Sequence, residues 1–193
     1  MAYLILGLVL FLGVHSLRIF AEDRRQHWVE QWGEKRFKGL YALASLIGFA
    51  LLCWGFAQSK LNPVVVWTPP LGLRHLASLL VLIASVLVVS AYVPGNHIKA
   101  RIGHPMYAGV KLWALAHLLS NGLLAEIILF GAFLVWSVLG FRASRRRDRL
   151  AQVPASQAHL RATLIAMALG LVFYAVFALV LHAYFFGVRP FGV

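Results

Sequence analysis

Ala2 to Phe20, AYLILGLVLFLGVHSLRIF, carries no charge before Arg18. At 1.5 Å of rise per residue, such a run is about as long as the ~30 Å hydrocarbon core of a bilayer. A helix keeps its backbone hydrogen bonds within itself, so it is the form in which a run like this crosses lipid. The stretch has no basic region at its start and no small-x-small cleavage site after it, so it is expected to stay in place as a transmembrane helix rather than be removed as a signal peptide. Totals extend that reading to the whole chain. Of 193 residues, 61% are hydrophobic and 12% charged, with mean hydropathy +0.80. A soluble domain of this size could not hide so much apolar surface, so the excess faces lipid. The expected architecture is an all-α polytopic membrane bundle, one domain over residues 1–193.

Working outward, AEDRRQHWVEQWGEKRFKG, Ala21 to Gly39, mixes charges of both signs with Trp28 and Trp32 four apart. That composition predicts an amphipathic interfacial helix after the first span. A second span is expected over Leu40 to Ala57, a third over Leu73 to Val93, and a turn at Pro94-Gly95-Asn96. Pro105 to Leu119 forms a fourth segment that is short for a crossing; it either starts near Ile98 or is buried among other helices. Leu123 to Phe141 and Ala162 to Phe186 complete about six spans, with the basic stretch Arg142 to Arg161 read as a loop between them. Ala162, Ala166 and Gly170 follow the small-xxx-small pattern of close helix packing. The single cysteine, Cys53, excludes an intramolecular disulfide and a CxxC metal site, and reads as a small packed side chain.

A formal net charge of +12 in a soluble protein would suggest nucleic acid. Here the cations sort by loop instead. On one side fall Arg18, Arg24, Arg25, Lys35, Arg36, Lys38, Lys99, Arg101, Arg142, Arg145, Arg146, Arg147, Arg149 and Arg161, fourteen of the 18 Lys and Arg. Lys60, Arg74 and Arg189 fall on the other, and Lys111 lies inside the fourth segment. Basic loops stay cytoplasmic, so both termini are expected outside the cytoplasm, in a protein whose partner is the bilayer and not nucleic acid.

Titratable groups inside hydrocarbon are costly, and their default reading is functional. His15, His104, His117 and His182 lie at or within the spans, whereas Glu126 is the only carboxylate placed in one. Imidazoles without carboxylates suit a haem iron in a dry pocket. Zinc held by three histidines would need a convergence that the sequence does not display. His104 and His117 are thirteen residues apart and point to different faces at about 100° per residue, so one of them, not both, should face a given site. His117 shares its face with Met106, Val110 and Trp113, while His104 beside Pro105 is placed as a supporting or helix-start residue. Lys111 can snorkel to the cytoplasmic interface. His15 has Leu8, Phe11 and Leu12 on its face, and Arg18 one turn beyond is a natural partner for haem propionates. Counted from the cytoplasmic helix ends, His15 lies ~8 Å deep and His117 ~18 Å deep, a mismatch that helix tilt would have to absorb.

Three stretches, LGLVLFLGVHSLRIF (Leu6 to Phe20), KGLYALASLIGFALLCWGF (Lys38 to Phe56) and HPMYAGVKLWALAHLLSNG (His104 to Gly122), resemble the bacterial NnrU membrane-protein family. That family is linked to denitrification, through nitrite and nitric oxide reduction. The same HS..R and HP…AH patterns are similar to the plastid 15-cis-zeta-carotene isomerase, a membrane enzyme that contains haem b. The resemblance implies haem b with His15 and His117 as iron ligands and His104 at the first histidine of the second motif. The isomerase carries a cysteine near that ligand, where Ala114 and its neighbours offer none, so its activity does not follow from the fold. The expectation is therefore a haem-binding membrane protein of redox or nitrogen-oxide metabolism, acting on a small apolar or nitrogen-oxide substrate, with an isomerase-like enzyme as one form of it. The rival is a non-catalytic transporter, sensor or assembly factor serving denitrification enzymes.

Overall fold

A computed structural model describes residues 1–152 and 157–191. The helices are α1 (Ala2–Phe20), α2 (Glu22–Trp32), α3 (Glu34–Ser59), α4 (Leu71–Ser90), α5 (His97–Ile102), α6 (Pro105–Ser120), α7 (Leu124–Leu150), α8 (Leu160–Val176) and α9 (His182–Phe186), with a π-helical turn, Phe177–Leu181, joining the last two. Among the described residues, five helical stretches are long and apolar enough to cross a membrane: α1, α3, α4, α7 and the continuous Leu160–Phe186. At 16 residues, α6 falls short of that length.

Neighbour order in the bundle is not chain order. The long helices stand in the row α3, α1, α7, α6, α4, α8, with α2 folded against α1 and α3 and α5 against α4, α6 and α8. Glycines set the tightest junction. A Cβ on Gly7 of α1 would meet the backbone of Leu51 and Leu52, and one on Gly48 or Gly55 of α3 would meet the backbone of Phe11 or Leu4. Only hydrogen at these positions lets the two backbones come so close. The same contacts show α1 and α3 running antiparallel. Ala166 and Gly170 do comparable work on α8: Ala166 is fully buried, and a Cβ on Gly170 would meet the Val86 backbone of α4.

Two differences from the sequence reading appear, the first with a local cause. The basic stretch after Phe141 is helix, not loop, as far as Leu150, because no Gly or Pro interrupts FRASRRRDRL. The expected loop's residues 153–156 lie outside the described ones. Cys53 is exposed on α3 rather than packed. The fourth segment starts at Pro105, because Gly103, at φ +80°, separates it from α5. Asn96, 1% exposed, directs the chain into α5: its Oδ1 accepts from the Lys99 N–H at 2.7 Å and its Nδ2 donates to the Ser90 carbonyl at 2.8 Å. At the opposite end, the Val66 N–H donates to the Gly122 carbonyl and the Leu124 N–H to the Val64 carbonyl, both at 2.9 Å. These bonds tie the α3–α4 loop to the α6–α7 turn.

Candidate functional site at the basic end of the bundle

His15 is held by its own helix. Its Nδ1 lies 2.7 Å from the Phe11 carbonyl, which can only accept, so in the neutral ring Nδ1 carries the proton and Nε2 keeps its lone pair. An aromatic wall surrounds it: Phe11 at 4.3 Å between ring centroids, Tyr41 of α3 at 5.3 Å, and Trp136 of α7 at 6.3 Å, edge-on. Tyr107 of α6 packs on the far side of Trp136 at 5.1 Å, over Gly140, where a Cβ would collide with its ring. The Trp136 Nε1–H is shielded from solvent and has no acceptor among the described residues, which leaves it open to a bound group.

Below this cluster opens a cavity of about 240 Å3, lined among others by His15, Arg18, Arg25, Phe37, Lys38 and Tyr41. The Arg18 side chain is 65% exposed, and Arg25 sits over the Phe37 ring at 5.7 Å. The end of α1 is pinned from α7: Arg147 Nη1 donates to the Arg18 carbonyl at 2.7 Å and its Nη2 to Ser144 Oγ at 2.9 Å. A guanidinium on the last carbonyls also complements the negative end of the helix dipole.

His104 lies at the same end, as the residue preceding α6. Its Nε2 is 2.8 Å from Asp148 Oδ2 of α7, an imidazole–carboxylate pair half-exposed at 27% and 35%. Reading Asp148 as a loop residue missed this pair, which exists because α7 continues past Phe141 as helix. Lys111 reaches back toward this end, with Nζ 5.1 Å from the Phe141 ring centroid.

His117 does not join these groups. It repeats the local design of His15, with Nδ1 2.9 Å from the Trp113 carbonyl and Nε2 unbonded, but it packs on Phe130 at 4.4 Å. His15 sits at the level of Trp136 and His117 at that of Phe130, ~9 Å apart along α7 at 1.5 Å per residue. The space between them holds Phe133, 6.1 Å from Phe11 and 5.6 Å from Trp113. One haem iron with His15 and His117 as its two ligands does not fit this arrangement, because α7 stands between α1 and α6. The inner residues do fit a haem held by one imidazole: a free Nε2 on His15, apolar rings beside it, and cations within reach of propionates. The cleft is smaller than the ~300–1,000 Å3 of common ligand pockets, so it suits the carboxylate edge of such a group and not the whole. No cluster of three or more His, Cys, Asp or Glu that could hold a bare metal ion occurs among the described residues.

Sequence reasoning put His15, Arg18, His104 and Lys111 forward at this end, gave Arg25 and Lys38 only as cations of the same side, and missed the parts of Tyr41, Tyr107, Trp136 and Asp148. Tyr107 follows His104 by three residues and Tyr41 follows Lys38 by three, a helical spacing that could have signalled both. Trp136 gives no signal within its apolar run.

A family model described as NnrU protein matches residues 3–190. No curated protein and no solved structure matches the chain.

Proposed function

The chain belongs to the NnrU family, and from that premise we propose a membrane protein of about six spans that binds haem b through His15 and serves redox or nitrogen-oxide metabolism. The observation that carries the proposal is the His15 imidazole. Its Nδ1–H is spent on the Phe11 carbonyl, so Nε2 stays free beside a cationic cleft. A carbonyl that fixes the tautomer in this way also raises the basicity of the other nitrogen. Arg18, Arg25 and Lys38 are the propionate partners, and Trp136, edge-on to the imidazole, brings an N–H donor to the same cluster. His104 acts through its Asp148 pair as a support at the cytoplasmic boundary. When bound, haem b would supply one-electron exchange or a coordination site for a small molecule. The protein's own part is to orient the imidazole, hold carboxylates and exclude water.

Purified protein from haem-replete cells is expected to show a Soret band with a high-spin reduced spectrum, since one imidazole from the protein is within reach. A low-spin bis-imidazole spectrum would require His117 to move past Phe133 and would overturn this assignment. The modest size of the cleft favours a second reading, a non-catalytic membrane factor that recognises an anionic group. Colourless protein that stays colourless with added haemin would decide for it.

The sixth span is α6. It runs antiparallel to α7, with Tyr107 near Trp136 and Trp113 near Phe130, and its 16 residues cover ~24 Å at 1.5 Å each. Flanking residues and local thinning can absorb the shortfall from ~30 Å. Six crossings and the charge count put both termini in the periplasm of the inner membrane. Reporter fusions at Gln152 and at the C-terminus should therefore report opposite sides. The same side for both would remove the last span, and opposite sides with the C-terminus cytoplasmic would reverse the orientation.

A further inference from the structure

We propose that the cleft between α1, α2 and α3 is an oxyanion site, taking the carboxylate of a haem propionate or the phosphate of an anionic inner-leaflet lipid. Only the propionate form rests on the haem reading above. The cations are Arg18 from the end of α1, Arg25 from α2 and Lys38 from the first turns of α3, brought together because α2 folds back against both neighbours. Positive charge near the cytoplasmic face would by itself be only a topology signal. Convergence from three helices on one cavity of about 240 Å3, with His15 and Tyr41 also in its lining, goes beyond that.

The charge balance of the cleft's two arginines, set by Glu22 beside it, is incomplete. Glu22 serves both arginines: its Oε1 is 3.0 Å from Arg25 Nη1, while its Oε2 reaches Arg18 Nε only at 3.8 Å. That Oε2 is shielded from solvent and makes no hydrogen bond. The Arg18 guanidinium therefore has no hydrogen bond among the described residues, and a planar fork of donors is left for a second anion. Lys38 is engaged by Glu34 at 2.6 Å, a pair exposed to solvent and easily exchanged. Glu22 thus acts as a resident carboxylate that holds the arginines in place and competes with the incoming anion. Its removal should help binding, the opposite of what a merely structural ion pair would give.

The test uses the full-length protein in phosphatidylcholine nanodiscs with and without phosphatidylglycerol, titrated with inorganic phosphate, and native mass spectrometry for retained lipid. Arg25→Gln is expected to weaken phosphate binding about tenfold, the loss of one charge-assisted contact, and Glu22→Gln to strengthen it several-fold. Loss of haem but not of phosphatidylglycerol in Arg25→Gln identifies the propionate as the anion; loss of phosphatidylglycerol with haem retained identifies the lipid. Wild-type protein that is colourless yet shows the Arg25→Gln and Glu22→Gln ordering keeps this site and removes the haem reading. Unchanged phosphate affinity, lipid retention and haem content in both variants would overturn the site.

Discussion

His15→Ala is expected to strip co-purifying haem b, lowering Soret absorbance per protein at least about tenfold, while His117→Ala leaves the band in place. Losing a group that only orients a metal ligand already costs 10–100-fold in affinity, so losing the ligand itself should cost no less. The asymmetry comes from packing. His15 faces a cleft that carries cations, whereas His117 faces Phe130 and Trp113 and shares its part of the bundle with His182. His182 likewise spends Nδ1, at 2.7 Å from the Val188 carbonyl, just after the π-helical turn. Absorption spectra of the two alanine variants, normalised to haem-free protein stability, decide the matter. If His117→Ala strips the haem and His15→Ala does not, the site lies in the other half of the bundle, near His182.

The difference from a bis-imidazole site marks where the sequence stopped being informative. Hydropathy runs marked the five helices that are long and apolar enough to cross a membrane, because a span must be apolar over a fixed length and that constraint is written locally. Spacing also located both imidazoles on their helix faces, and the ~10 Å depth mismatch between them was visible from helical rise alone. What no local pattern contains is which helix stands beside which. Segments one and four carry the histidines, but α7 separates them, and its Phe133 and Trp136 read in sequence only as apolar filler. Asp148 was hidden for a different reason. Its stretch is highly charged and was read as a loop, yet Arg and Ala are good helix formers and nothing in FRASRRRDRL stops the helix. With the helix extended, the carboxylate comes within 2.8 Å of the His104 Nε2.

Gly55→Leu and Gly7→Leu are expected to be the most damaging substitutions away from the site, each destabilising the protein by about 3 kcal/mol or more and lowering haem retention as well. The cause is contact between backbones, not a filled cavity. A Cβ on either glycine meets main-chain atoms of the partner helix, and on Gly48 it would stand 2.7 Å from the Phe11 nitrogen. Main chain cannot swing aside as a side chain can, so α1 and α3 must separate. That separation reaches the site because the same interface sets His15 against Tyr41, 5.3 Å away, at its far end. Gly13 and Gly39 lie in the same two helices, and a Cβ on either meets nothing within 4 Å. Gly13→Ala and Gly39→Ala should be neutral or stabilising by up to ~1 kcal/mol through helix propensity. Detergent-denaturation midpoints for the four variants test the argument. If Gly55→Leu unfolds at the same point as Gly13→Ala, the close approach of α1 and α3 is not what holds this end of the bundle together.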